Sequence, residues 1–157
     1  MTDLPYRPCV GVMLVNMDGK VFVGQRIDNP ESDAWQMPQG GIDKGEEPES
    51  AALRELQEET GLSPEHVTII QRMEEPVRYD LPPELLGRIW GGKYRGQEQV
   101  WYLARFTAGD DAIDIAADDH QEFSVWKWAD PEDLPDMIVP FKRQVYRKVL
   151  EAFRELV

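Results

Sequence analysis

A chain of 157 residues and 18.1 kDa fits one domain with a sizeable hydrophobic core, and 41% hydrophobic with 30% charged residues excludes an extended disordered polymer. A formal net charge of -13 excludes strong binding of DNA or RNA through the phosphate backbone alone. No run approaches the roughly 18 apolar residues of a membrane span, and residues 1–10 lack the basic-then-apolar layout of a signal peptide, so no membrane partner and a cytoplasmic location are expected.

The first two predicted strands, residues 10–15 and 21–25, flank Asn16-Met17-Asp18-Gly19-Lys20, where the Asp-Gly pair is a strong hairpin signal. Cys9 reads as a small buried hydrophobe on a strand; as the one cysteine it excludes an internal disulfide, and two histidines argue against zinc. A brief strand is expected over 35–37, broken by Pro38 ahead of Gly40-Gly41. Pro48 suits a first helical turn and Gly61 a C-terminal cap, which predicts a helix over 48–60. Further strands are expected over 67–72, 77–79, 99–107 and 123–128, with residues 82–97 a long loop containing one helical turn. Phe141, Val145, Val149, Ala152 and Leu156 recur every three or four residues with basic residues on the other face, so the chain is expected to end in an amphipathic helix. With no repeat or linker, this order predicts a single α+β or α/β sandwich domain over 1–157.

The charge is unevenly placed. Residues 43–59 carry seven acids against Lys44 and Arg54, residues 109–122 carry six acids and no lysine or arginine, and the segment from Phe141 onward is basic. Within the predicted helix Glu55, Glu58 and Glu59 stand at i, i+3 and i+4, hence on one face, with Leu53 and Leu56 turned about 140° away. Such a helix can pack by its leucines while presenting three carboxylates together. A solvated acidic face is the plain alternative, and Arg54 can pair with Glu58 at i+4, but one arginine cannot neutralise three glutamates. A hard divalent cation can. Carboxylates without histidine or cysteine partners favour Mg²⁺ or Mn²⁺. Gly40-Gly41, which carry no side chains, let the backbone approach such an ion or a substrate closely.

Gly40, Glu46, Arg54-Glu55-Leu56, Glu58-Glu59 and Gly61-Leu62 resemble the Nudix box at all nine of its specified positions over 23 residues. The likeness extends through YRPCVGVMLVN, WQMPQGGID, RYDLP, GQEQVWYLARF, EFSVWKW and PFKRQVYRKV, from Tyr6 to about Phe153. These segments look like the branch that contains bacterial RNA pyrophosphohydrolases and plant-type diadenosine tetraphosphate hydrolases. The stretches 82–94 and 110–119 are the least family-like. The resemblance implies the Nudix fold, an α/β/α sandwich around a mixed β-sheet, and hydrolysis of a nucleotide phosphoanhydride with Mg²⁺ or Mn²⁺.

It also implies roles. Glu55, Glu58 and Glu59 are the expected metal ligands, with a backbone carbonyl at or just before Gly40; Arg54 orients the glutamates and Glu46 is structural. Glu122 matches the glutamate that supplies a late metal ligand or the base, and the group that takes the proton from water stays open among Glu59, Glu55 and Glu122. His120 reads as a surface-loop residue. Arg26, Arg7 and Tyr79 occupy positions linked to phosphate or nucleotide contact, and Phe141-Lys142 sit where relatives clamp a base by stacking. On the residues alone, Arg26 is equally an exposed strand-end charge and Phe141 equally a core anchor for the last helix. Trp90, Trp101, Trp126 and Trp128 are assigned to the core.

Two substrates fit these parts. One is triphosphorylated or diphosphorylated RNA, from whose 5′ end pyrophosphate or successive phosphates are removed; the other is a dinucleoside polyphosphate such as diadenosine tetraphosphate, split asymmetrically. The YRP start and FKRQVYRKV ending lean toward the RNA enzyme, hence toward 5′-end processing and mRNA decay. The third reading is a non-enzymatic acidic metal-binding or interaction module. Residues 109–122 lack the spaced D-x-D-x-D-G of a calcium loop and the box is intact, so an enzyme is expected.

Overall fold

The computed structural model describes residues 4–28 and 32–157. Along β1 (Tyr6–Val15), Val10, Val12 and Leu14 are buried on one face and Met13 and Val15 on the other. A strand buried on both faces needs a layer on each. Those layers are α1 (Pro48–Thr60) on the first face, and α2 (Leu134–Met137) with α3 (Arg143–Phe153) on the second. Between them lies a mixed sheet completed by β2 (Val21–Arg26), β3 (Gln39–Gly41), β4 (Val67–Arg72), β5 (Val77–Asp80), β6 (Gly96–Phe106) and β7 (Phe123–Ala129). The expected α/β/α sandwich is what forms.

β6 runs parallel to β1 along its length, from Tyr6↔Gly96 to Val15↔Arg105, and its other edge takes β5 and then β4, both antiparallel. β2 pairs with β7, antiparallel. The predicted hairpin is present: Val15 pairs with Val21, Asn16 accepts from the amides of Asp18 and Lys20, and Gly19 takes a positive φ of 77°. Past that pair the two strands splay, and residues 36–41 fill the gap. Gln36 exchanges two backbone hydrogen bonds with Gly24, Val12 donates to the Pro38 carbonyl, and β3 pairs with β1 over Cys9↔Gly41 to Gly11↔Gln39. The predicted strand over 35–37 is therefore one isolated bridge at Gln36, and the true strand lies beyond Pro38. Proline cannot donate to a ladder, but its carbonyl can accept, and here it does.

The helix predicted over 48–60 is α1, residue for residue. Pro48 occupies its first turn, and Gly61, at φ 77°, donates back to the Gln57 carbonyl. Leu56 is buried with Ala51 and Ala52, while Leu53 is only partly covered. The last helix differs in phase from its prediction. Val145 and Val149 are buried as expected, but Tyr146, Leu150 and Phe153 complete the stripe, and Ala152 and Leu156 are exposed. The chain tightens into a 3₁₀ turn over Arg154–Leu156, so the 100° spacing that placed Leu156 inward no longer applies there. Residues 82–95 form turns and one short 3₁₀ segment, Trp90–Gly92.

Candidate active site

The sheet ends that matter are the start of β1 and β6, the finish of β2 and the entry to β7. They meet α1 and the head of α3 around a cleft of about 340 Å³ lined by Arg7, Arg26, Glu55, Trp90, Glu122 and Lys142, with Gln39, Gly40, Gly41 and Gln97 at its base.

Geometry of α1 and the preceding glycines sets the acidic half. A β-carbon on Gly40 would overlap the Glu55 carboxylate, so that carboxylate lies directly against the backbone there. Glu59 is 1% exposed, the opposite of a solvated face. Its carboxylate accepts from the Gln39 backbone N–H, while Oε2 has no partner among the described residues. Glu58 is the outermost of the three, its side chain 41% exposed. Arg54 ties the group together: its guanidinium holds Glu46 through two hydrogen bonds of 2.8 and 2.9 Å, reaches Glu55 at 2.9 Å and Glu58 at 3.3 Å, and donates to the Gly41 carbonyl. Glu46 in turn accepts from the Asp43 amide, which links the loop after the glycines to the helix.

Electrostatics separates these acids. Hydrogen bonds from Arg54 and the Asp43 backbone hold the Glu46 carboxyl down to about 2. Burial pushes Glu55 up to about 7 despite Arg54, with Glu58 and Glu122 adding repulsion. Burial also raises Glu59 well above the usual carboxylate range, reinforced by the charges of Glu55 and Glu122 and opposed by Arg26. A buried carboxylate with an orphaned oxygen, beside two more carboxylates, is a poor arrangement for a fold on its own and a good one for a hard cation. The donor set of oxygen ligands fits such an ion. Among the described residues the acids are not converged into a closed cage, because Arg54 spans Glu55 and Glu58.

The cationic half faces them. A register shift between Gln25 and Arg26 sets Arg26 opposite Phe123 at the last pair of the β2–β7 ladder, where Arg26 lines the cleft. There its guanidinium makes two hydrogen bonds to Asp28 and lies 3.3 Å from Glu122. Arg7 lies over the Trp90 ring, 5.6 Å from its centroid, and donates to the Cys9 sulfur at 3.6 Å. Burial pushes the Cys9 thiol up to about 11, so Cys9 sits there as an inert strand residue, free of any disulfide. Lys142 is lowered to about 8, first by burial and then by Arg26. Its ammonium and the Phe141 ring both lie beside Tyr79, at 5.6 and 5.8 Å respectively. Tyr79 itself is buried behind them and is not part of the cleft lining.

A second hollow of about 220 Å³ adjoins the cleft, sharing Arg26 and Lys142 and walled by Phe141, Val139, Ile138 and Leu85. Gln36, 7% exposed, lines it with an amide Nε2 that has no partner among the described residues. His120 is exposed on its loop, as expected.

Two kinds of residue escaped the sequence reading. One is the glutamine set at the cleft floor, where Trp101 donates to Gln99 and Gln99 donates to both Gln97 and Gln39. Three uncharged residues from two separated strands give no local signal. The other is Trp90, assigned to the core but lining the cleft; Trp101 is fully buried, and Trp126 and Trp128 are partly covered against Phe22 and Phe106 on the α1 face.

Residues 5–149 match the NUDIX domain family. The chain is 62% identical over 154 residues to a protein of Novosphingobium aromaticivorans named RNA pyrophosphohydrolase, a match covering 98% of this chain and 96% of that one. A protein of Erythrobacter litoralis with the same name is 61% identical over 155 residues, covering 99% and 94%. Among solved structures, a binary complex of the C. elegans Ap4A hydrolase shares the fold with a TM-score of 0.69 at 23% identity, over 96% of this chain and 99% of that one. The carboxylate-bearing helix, the glycine pair it packs on and the family match over most of the chain lead to one assignment: this protein belongs to the NUDIX domain family.

Proposed function

We infer that the protein is an RNA 5′ pyrophosphohydrolase, with residues 1–157 acting as one domain, in the cytoplasm, at the start of mRNA decay. The observation that carries this reading is the junction of two unlike spaces. A polar cleft edged by carboxylates and by Arg7, Arg26 and Lys142 opens into a more apolar hollow walled by Phe141. The first suits a phosphate chain beside a cation, the second a base joined to it. High identity to proteins named RNA pyrophosphohydrolase supports the same substrate.

Glu55, Glu58 and Glu59, with a backbone carbonyl at or next to Gly40, would hold Mg²⁺ or Mn²⁺, and Glu122 would join them or act as base. Such an ion neutralises phosphate oxygens and lowers the pKa of bound water. The chain's own groups do the rest. Arg54, fixed by Glu46, holds Glu55 at the cleft and Glu58 just outside it. Arg7, Arg26 and Lys142 bind and orient the phosphate oxygens that the acids would repel. Glu59, Glu55 or Glu122 takes the proton from water. Phe141 stacks on a base, and the Lys142 stem covers its edge.

The direct test is product analysis on triphosphorylated RNA and diadenosine tetraphosphate side by side. Pyrophosphate or successive phosphates, and a 5′-monophosphate end, should form much faster than ATP and AMP form from the dinucleotide. The reverse ratio would move the assignment to dinucleoside polyphosphates. Phe141→Ala should lower kcat/KM by roughly 10- to 100-fold on RNA of two or more nucleotides, since base–aromatic stacking contributes about 1–3 kcal/mol. The loss should be much smaller on a free nucleoside triphosphate. Equal losses on both, in a variant of native melting temperature, would sink the stacking role.

Arg26→Ala separates phosphate binding from metal binding. It should cost about 10- to 100-fold in kcat/KM on triphosphorylated RNA, the scale of a lost charge-assisted hydrogen bond. Metal affinity measured without substrate should hold or rise slightly, because Glu122 loses its partner at 3.3 Å. A large fall in metal affinity would make Arg26 part of the carboxylate scaffold instead.

A further inference from the structure

Trp90 is the one described residue other than glycine with a positive φ, 53°, in a short segment where Gly91 and Gly92 also lie at 68° and 72°. A bulky aromatic residue in left-handed backbone is strained, and such strain persists only where the surroundings fix it. The ring is partly buried against the α3-side core, and Tyr94 meets it edge-on at 6.4 Å. What it presents to the cleft is a π-face, and Arg7 covers that face.

The other side of Arg7 is equally defined. A β-carbon on Gly41 would lie 2.6 Å from one terminal nitrogen of Arg7 and 3.1 Å from its Cζ, so the guanidinium rests against bare backbone. Among the described residues no carboxylate pairs with Arg7, unlike its cleft neighbour Arg26, which is paired with Asp28 and Glu122. What sets Arg7 apart is that an aromatic face and bare backbone hold it from two sides. Stacking on an aromatic face holds a guanidinium while leaving its N–H edge free.

We propose that Trp90 and Gly41 form a slot that holds the Arg7 guanidinium edge-on to the cleft, unpaired and aligned for a substrate phosphate, making Trp90 a positioning residue for the reaction. This rests on the reading of Arg7 as a phosphate contact and adds the device that keeps it ready. The slot explains two features together: the strained tryptophan and the absence of a side chain at residue 41.

The test is a set of double-mutant cycles on triphosphorylated RNA, with kcat and KM measured separately. Trp90→Asn removes the ring but accepts left-handed backbone, and Gly41→Ala intrudes on the flexible end of Arg7 from the opposite side. Each should lower kcat/KM roughly 10-fold, within the range of a partly desolvated cation–π contact. Trp90→Phe, which keeps a π-face, should recover most of the loss. In an Arg7→Ala background, itself about 10- to 100-fold impaired as for a lost charge-assisted hydrogen bond, both changes should have no further effect. Full additivity with Arg7→Ala would overturn the slot while leaving Arg7 as a phosphate contact. Wild-type kcat/KM in Arg7→Ala alone would instead remove Arg7 from substrate binding, and the slot with it. Melting temperatures accompany each variant; if Trp90→Asn unfolds, Gly41→Ala and Trp90→Phe decide the matter.

Discussion

Replacing Glu59 with glutamine is expected to lower turnover by several orders of magnitude and, at the same time, to raise the melting temperature of the metal-free protein above pH 7. The two effects share one cause. Glutamine has the same shape, but its amide nitrogen is a donor and cannot ligate a cation as a carboxylate oxygen does. Stability moves the other way because the ionised carboxylate is buried beside Glu55 and Glu122, with one oxygen unpartnered among the described residues. The folded protein holds the Glu59 proton at pH values where the unfolded chain has released it. Metal-free stability should therefore fall as pH rises from about 4.3, the unfolded value, toward the raised folded value, and Glu55, lifted to about 7, adds to the same slope. Glu59→Gln should flatten that slope. Glu58→Gln should match it in lost turnover but not in gained stability, since Glu58 is substantially exposed and paired with Arg54. Near wild-type turnover in either variant would remove that residue from the ligand set. An unchanged pH slope in Glu59→Gln would mean that other groups carry the titration.

Complete removal of divalent cations should abolish activity, and Mg²⁺ or Mn²⁺ should restore it. The clustered acids repel a phosphate chain, and Arg7, Arg26 and Lys142 alone do not offset Glu55, Glu58, Glu59 and Glu122. A second readout needs no substrate. Added cation should raise the melting temperature more at pH 8 than at pH 5, because protons compete for the same carboxylates. Full turnover in chelator with trace metal excluded would refute a metal-dependent mechanism. A melting temperature indifferent to Mg²⁺ and Mn²⁺ at both pH values would place the ions elsewhere than on Glu59.

Most of α1 was legible because its signals are local. Pro48, Gly61 and the spacing of three glutamates all lie within one stretch, and both ends of the helix fall where those residues put them. The sequence could not separate the glutamates by environment. Helical geometry groups all three on one face, whereas depth depends on how far α1 tilts onto β3, which leaves Glu59 enclosed and Glu58 outside. Trp90 packs against the core as its aromatic character predicts, but it also lines the cleft. Its exposure to the cleft follows from the left-handed turn at residues 90–92, and only two glycines hinted at that turn. The glutamine set at 39, 97 and 99 depends on the parallel register of β1 with β6 and on β3 pairing beside them. The C-terminal stripe was read one element too far, through the 3₁₀ turn after Phe153.

The splayed hairpin has a consequence for motion. Residues 36–41 carry Gln39, Gly40 and Gly41 to the cleft, yet they are not a surface loop resting on a finished sheet. They are bonded to β2 through Gln36, to β1 through Pro38 and β3, and to α3 through the Met37 amide, which donates to the Tyr146 hydroxyl at 2.8 Å. Swinging this segment away would part β1 from β2 and uncover the interior of both layers. Its opening free energy should thus approach that of the whole protein, and its backbone amides should exchange with solvent only through global unfolding. Residues 82–95 reach the cleft only through Trp90 and the adjoining hollow through Leu85, whereas the backbone under the carboxylates behaves as part of the core.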